Sequence, residues 1–122
     1  MVLLTVDATY YISSFPGESM EYSLIYMTSG SKREAESIAR ILLEKRQIAC
    51  ANLIPVSSLY IWKDQLQEDQ EYVSILKTEQ RKVHDVIEEV KKLHSYEVPD
   101  IVEIPLGEGY RPFLQWISEV VQ

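Results

Sequence analysis

The sequence predicts an α+β fold with a ferredoxin-like β-α-β-β-α-β order and an added C-terminal helix. Runs rich in apolar and β-branched residues, typical of strands, alternate with runs in which apolar residues recur at helical spacing. The two middle strands are separated only by a polar segment, which indicates a hairpin. In this order the sheet is antiparallel and two helices cover one of its faces.

Length and composition indicate one acidic globular domain. The chain has 122 residues, 46% hydrophobic and 25% charged, as in an average soluble protein. Twelve Lys and Arg against nineteen Asp and Glu give a formal net charge of -7 with no basic patch, so we expect no nucleic-acid partner. The single cysteine and the lack of a bilayer-length apolar run predict a cytoplasmic protein without a membrane partner.

The first elements are clearly marked in the sequence. Residues 1–20 differ in character from the rest, and we interpret them as an N-terminal extension to a domain of residues 21–122. Residues 22–28 (YSLIYMT) suit a buried strand. Ser31 and Glu34 fit a capping box for a helix that ends near residues 46–47.

A long hairpin follows the first helix. An extended segment runs from Ile48 to Trp62, and Pro55 within it implies a bend, a bulge or an edge position. The polar residues 63–70 are predicted to reverse the chain, and residues 71–78 return as the third strand.

The second half of the chain repeats the helix-then-strand pattern. Thr78 is predicted to cap a second helix with an apolar face over residues 83–93. Residues 94–99 (HSYEVP) join it to a fourth strand at 100–106, because the residue before a proline favours an extended backbone. Pro112 suits the first turn of a last helix.

Both faces of the predicted sheet are apolar. A sheet of this kind buries its second face as well, most simply by self-association. The prediction rests on the two alternating sets of the first strand, which are Tyr22, Leu24, Tyr26 and Ser23, Ile25, Met27.

The HSYEVP joint brings an imidazole, a phenol and a carboxylate together. As a structural joint, it places His94 at the negative end of a helix dipole. As a functional site, it offers His94 and Glu97 as metal ligands or an acid–base pair beside the Tyr96 hydroxyl. Spacing alone favours the structural interpretation. No phosphate loop, paired cysteines or nucleophile elbow is present, so we predict that the protein is not an enzyme.

Other candidate residues also have two interpretations. Cys50 is either a small buried hydrophobe or a thiolate ligand for copper or another soft metal. Trp62, Tyr60 and Tyr72 either form cross-strand and interface contacts or stack on a ligand. The acidic residues within 68–71 (EDQE) are interpreted as a solvated hairpin edge.

Taken together, these residues resemble the CutA divalent-ion-tolerance family from about Tyr22 to Ile117. The resemblance implies a compact homotrimer in which long hairpins pair across subunits. It implies metal tolerance, with no obligatory cofactor and with Cu²⁺ or another divalent cation as the bound ion. The motifs that carry it are residues 49–55 (ACANLIP), 58–62 (SLYIW), 68–71 (EDQE), Lys77-Thr78 and 94–101 (HSYEVPDI).

Carried over position by position, the resemblance implies His94, Glu97 and Cys50 as metal ligands. Lys77 and Tyr96 match the same motifs and are expected to line a cleft between subunits, with Trp62 and Tyr60 of the hairpin beside them. The expected partners are therefore two further copies of the chain and metal ions.

The chain departs from the family pattern at three points. Ser95 stands where proline is usual, which we expect to loosen the bend after His94. Asp64-Gln65 replaces a glycine-containing hairpin turn. The segment between Pro55 and Ser58 is shorter by about one residue, which is expected to alter a bulge there.

A second hypothesis is a trimeric signalling or adaptor protein like the PII proteins, which share this topology. It would bind a small anionic effector between subunits, with Lys77, Arg111 and Tyr96 as the anion contacts. An acylphosphatase shares the fold but needs a phosphate-binding loop that the sequence lacks.

Overall fold

The computed structural model describes residues 21–122, and the predicted extension of residues 1–20 lies outside them. The predicted element order is confirmed. The sheet is antiparallel, with strands in the order β2-β3-β1-β4. The elements are β1 (Tyr22–Ser29), α1 (Lys32–Glu44), β2 (Cys50–Trp62), β3 (Gln65–Glu79), a short 3₁₀ turn (Gln80–Lys82), α2 (Val83–Leu93), β4 (Ile101–Leu106) and α3 (Arg111–Val120). Within this part of the chain no helix is long and apolar enough to cross a membrane.

Helices α1 and α2 cover one face of the sheet and form the main core with it. Ile25 and Met27 of β1 are fully buried there. Leu76 of β3, the pairing partner of Ile25, is also fully buried. The helices contribute their apolar faces because burial of these side chains drives the packing. The buried helical residues of this core are Ile38, Leu42, Val83, Val86 and Val90.

The second face of the sheet is apolar but only partly covered. Tyr22 lies on it and packs against Leu114 and Ile117 of α3. Farther along β4, Val102 and Ile104 remain 50% and 45% exposed. The prediction of two apolar faces is thus confirmed for the described residues, and self-association as the cover of the second face remains a prediction.

The hairpin is longer and its turn tighter than the sequence predicted. The expected loop at residues 63–70 is wrong: β3 already begins at Gln65, and only Lys63 and Asp64 form the turn, with φ of 51° and 62°. Two left-handed residues make a type I′ turn, whose twist matches that of the strands without glycine. The polar residues that follow the turn can pair as a strand because both faces of the hairpin tip are exposed to solvent.

The strand pairing within the hairpin is regular. Cys50 to Trp62 pair one-to-one with Lys77 to Gln65, so the strand has no bulge between Pro55 and Ser58, where the sequence predicts an altered one. The strand begins at Cys50 rather than at Ile48.

One predicted helix cap is confirmed and the other is wrong. Ser31 Oγ accepts a hydrogen bond from the Glu34 backbone N–H at 3.1 Å. Thr78 instead lies inside β3, and its hydroxyl donates to the Gln47 carbonyl oxygen at 2.6 Å. The second helix begins through the 3₁₀ turn and has no side-chain cap.

Glu34 ties α1 to the HSYEVP joint. Its two carboxylate oxygens accept hydrogen bonds from the Ser95 backbone N–H at 2.7 Å and from the Ser95 hydroxyl at 3.0 Å. A proline at position 95 has neither donor, so serine fastens the joint by bonds that proline cannot make, and the expected loosening of the bend stays a prediction. Partial burial alone raises the pKa of Glu34, but the hydrogen bonds from the Ser95 backbone N–H and hydroxyl oppose it, and the pKa is lowered.

We predict that Glu34→Gln lowers the free energy of unfolding by about 1–2 kcal/mol at pH 7, because two hydrogen bonds lose their charged acceptor. Since the folded-state pKa is lowered, the stabilisation is present above the unfolded pKa and disappears as pH falls through the folded one. Urea titrations from pH 7 to about pH 3 measure the difference. Glu36→Gln, on the same helix with an exposed carboxylate, is the control. If the difference in free energy of unfolding between wild type and Glu34→Gln stays constant with pH, the Glu34 carboxylate does not stabilise the joint through its charge.

We also predict that Asp64→Gly raises the free energy of unfolding by about 0.5–1 kcal/mol, because glycine adopts the left-handed conformation of the turn without strain. Urea denaturation at neutral pH measures the change. Gln65→Gly, one residue later in the strand, is expected to destabilise by a similar amount. Equal effects of the two substitutions argue against the I′ turn.

Candidate functional site

A cavity of about 670 Å³ opens on the second face of the sheet, between the hairpin and the HSYEVP joint. Strand alternation places Ser58, Tyr60 and Trp62 on this face. The joint then closes the cavity from the side of β1. The side chains that define its chemistry are Tyr26, Tyr60, Trp62, Glu71, Tyr96 and Glu97.

Tyr96 and Glu71 form the most buried polar pair of the cavity. The Tyr96 hydroxyl donates to Glu71 Oε2 at 2.6 Å, and Glu71 is only 6% exposed. Burial and the hydrogen bond to this carboxylate raise the pKa of Tyr96 well above its ordinary value of 10.0. The phenol therefore remains a proton donor at neutral pH.

A second phenol–carboxylate pair lies nearer the hairpin tip. The Tyr60 hydroxyl donates to Asp69 Oδ2 at 2.5 Å. This hydrogen bond raises the pKa of Tyr60 above 10.0. Two of the three phenols that line the cavity, those of Tyr60 and Tyr96, are thus oriented by carboxylates.

His94 is a structural residue in this conformation. Its side chain is fully buried, its Nε2 donates to the Thr28 carbonyl oxygen at 2.7 Å, and its Nδ1 accepts from the Tyr96 backbone N–H at 3.1 Å. A carbonyl only accepts and an N–H only donates, so the Nε2–H tautomer is set and no ring lone pair is left for a metal. His94 holds the joint against β1 and so positions Tyr96.

The three residues expected as metal ligands do not converge within one chain. Glu97 is exposed and lines the cavity. Cys50 is half-buried and pairs with Lys77, six residues along β3 from Glu71. Residues 21–122 contain no group of three or more His, Cys, Asp or Glu side chains arranged to hold a metal ion.

The four residues expected in a cleft separate into two places. Tyr60, Trp62 and Tyr96 all line the cavity. Lys77 lies elsewhere, where its Nζ donates to Asn52 Oδ1 at 2.8 Å and sits 5.7 Å from the centre of the Phe113 ring.

Sequence reasoning misplaced Glu71, the central carboxylate of the cavity. It was assigned to a solvated hairpin edge together with its acidic neighbours. Glu71 is in phase with Val73 and Ile75, which face the same side of β3, and this alternation was the available signal. Asp100 at the end of the joint and Tyr26 on β1 were also missed as lining residues.

The charged side chains that line the cavity are all acidic. Glu71, Glu97 and Asp100 contribute carboxylates, and among the described residues no Lys, Arg or His lines it. Together with the aromatic rings, this arrangement suits a positively charged ligand.

Comparison with known proteins agrees with the architecture. Residues 23–120 match the family described as CutA1 divalent ion tolerance protein. The divalent-cation tolerance protein CutA of Archaeoglobus fulgidus is 42% identical over 101 residues, covering 83% of this chain and 99% of that protein. Human protein CutA is 37% identical over 101 residues, which are 82% of this chain and 56% of the human protein.

Solved structures show the same likeness. The structure of the periplasmic divalent cation tolerance protein CutA from Archaeoglobus fulgidus superposes with a TM-score of 0.81, covering 83% of this chain and 99% of that one. The divalent cation tolerance protein from Thermus thermophilus is 37% identical, with a TM-score of 0.80 and the same coverage of both chains. Because the matched segment includes all three helices and all four strands except the first residue of β1, the chain belongs to the CutA1 family of divalent ion tolerance proteins.

Proposed function

We propose that this protein acts in tolerance to divalent cations as a cytoplasmic homotrimer of ferredoxin-like subunits that binds metal cations, copper among them, without catalysis. The observation that carries the proposal is the large cavity lined by three carboxylates and, among the described residues, by no cationic side chain. Relatives named for divalent-cation tolerance support the physiological role. The single cysteine supports a reducing compartment.

Glu97 and Asp100 are the first residues we assign to cation binding. Both side chains are exposed at the cavity, and carboxylate oxygens are the ligands that hard divalent cations prefer. Cys50 supplies a separate soft ligand that suits copper. His94 contributes by holding the joint, because a role as ligand requires breaking one of its two hydrogen bonds.

Self-association is supported by the uncovered apolar surface. Val102 and Ile104 present apolar side chains on β4, which is also an edge strand of the sheet formed by residues 21–122. At the hairpin tip Ile61 and Leu66 are 66% and 71% exposed, beyond the reach of the helices. Exposed apolar surface of this extent marks interfaces. The number of three subunits comes from the family resemblance.

The hypothesis of an anionic effector finds less support. Of its three proposed contacts only Tyr96 lines the cavity. Lys77 is bonded to Asn52, and Arg111 lies 3.9 Å from Glu21 beside a separate cavity of about 290 Å³. An anion in the large cavity would face carboxylates instead of cations.

We predict a mass in solution near three times the 14.2 kDa of one chain, measured by light scattering. Ile104→Glu places a charge on the apolar face of β4 and is expected to give monomers. Arg40→Glu puts the same side chain on the exposed side of α1 and should leave the trimer intact. A monomeric wild-type protein refutes the assembly.

We predict that titration calorimetry detects Zn²⁺ and Cu²⁺ binding. Glu97→Gln is expected to weaken Zn²⁺ binding by about tenfold, because a charged oxygen ligand is lost. Cys50→Ser should weaken Cu²⁺ binding selectively, since copper prefers the thiolate. Glu119→Gln, an equal charge change on the exposed side of α3, is the control. Unchanged affinities in Glu97→Gln and Cys50→Ser remove these ligands from the proposal.

A further inference from the structure

The interior of the cavity is too large and too aromatic to serve a bare metal ion alone. Its volume of about 670 Å³ falls within the range of small-molecule sites, roughly 300–1,000 Å³. A metal ion is held instead by three or more converging ligand atoms, and the described residues offer no such group. The size therefore indicates a polyatomic ligand.

Four aromatic rings define the walls of this interior. Tyr26, Tyr60, Trp62 and Tyr96 contribute side chains from β1, β2 and the HSYEVP joint. The negative faces of such rings attract cations, and tryptophan does so most strongly. The Trp62 ring already has an ammonium group near it, because Lys63 Nζ lies 5.9 Å from its centre.

Glu71 adds a buried negative charge that has no counter-ion among the described residues. It is 6% exposed, and its side-chain partner in this part of the chain is the neutral hydroxyl of Tyr96 on Oε2. Within residues 21–122 no Lys, Arg or His lies within ion-pair distance of it. A buried carboxylate is costly without a cation or further hydrogen bonds, so the site is complementary to a positively charged donor.

We propose that the cavity binds a small organic cation with an ammonium group, held by the aromatic walls and by Glu71. The ammonium N–H groups donate to the Glu71 carboxylate, and the alkyl part of the ligand packs against Trp62 and Tyr60. The inference shares the cavity with the proposed function but does not depend on metal binding.

The test follows the two indole N–H signals by NMR in the full-length assembled protein, in excess EDTA to remove metals. Trp62 lines the cavity and Trp116 lies on α3 outside it, so the second signal is an internal control. A Trp62→Phe sample assigns the two signals. Butylammonium is the probe, and 1-butanol is the neutral partner of similar length. We expect saturable shifts of the Trp62 signal with butylammonium and none with 1-butanol.

The charge requirement is tested with Glu71→Gln, which keeps the side-chain shape and an oxygen to accept from Tyr96. We expect at least about a tenfold loss of butylammonium affinity, since a charge-assisted hydrogen bond becomes a neutral one. Glu119→Gln makes the same change of net charge outside the cavity and should bind as wild type does.

Three outcomes overturn the inference: equal shifts with 1-butanol, equal shifts of Trp116 and Trp62, or unchanged affinity in folded Glu71→Gln. The comparison of butylammonium with 1-butanol uses wild-type protein, so it decides the question even if Glu71→Gln does not fold. Binding of ammonium without binding of Zn²⁺ or Cu²⁺ refutes only the metal proposal. The reverse result refutes only this inference.

Discussion

The architecture of the cavity depends on how the HSYEVP joint is fastened to the rest of the domain. The buried imidazole of His94 bridges the Thr28 carbonyl at the end of β1 and the backbone N–H of Tyr96. Glu34 fastens Ser95 to the first turn of α1. Between these anchors lies Tyr96, whose hydroxyl reaches Glu71. The aromatic wall of the cavity is therefore positioned by hydrogen bonds that lie outside it.

The uneven covering of the sheet explains why the cavity exists. Helices α1 and α2 cover one face of the central sheet, whereas α3 covers only the end of the other face around Tyr22. The hairpin extends beyond all three helices, so its tip has no cover from the described part of its own chain. An apolar surface left open in this way provides both a surface for self-association and the walls of a pocket. The proposed assembly and the proposed ligand binding therefore involve the same face.

Charge is the basis of the ligand preference that we propose for the cavity. The phenols of Tyr60 and Tyr96 each donate to a carboxylate. Glu71 consequently faces the cavity with a neutral partner among the described residues. Both proposals, metal ions at the exposed carboxylates and ammonium groups in the aromatic interior, rest on this negative charge.

The sequence by itself determined the element order, the two apolar faces and the cap of α1, because local spacing and short-range hydrogen bonds control these features. It also identified Tyr60, Trp62 and Tyr96, whose family motifs are continuous stretches of chain. Only the tertiary structure decided the roles of His94 and Glu71. The partners of His94 include a carbonyl 66 residues away, and Glu71 is buried by a phenol 25 residues away. Local spacing does not reveal contacts at such separations. Spacing alone favoured a structural His94, whereas the family resemblance implied a metal ligand, and the acidic run at residues 68–71 suggested a solvated glutamate where the fold has a buried one.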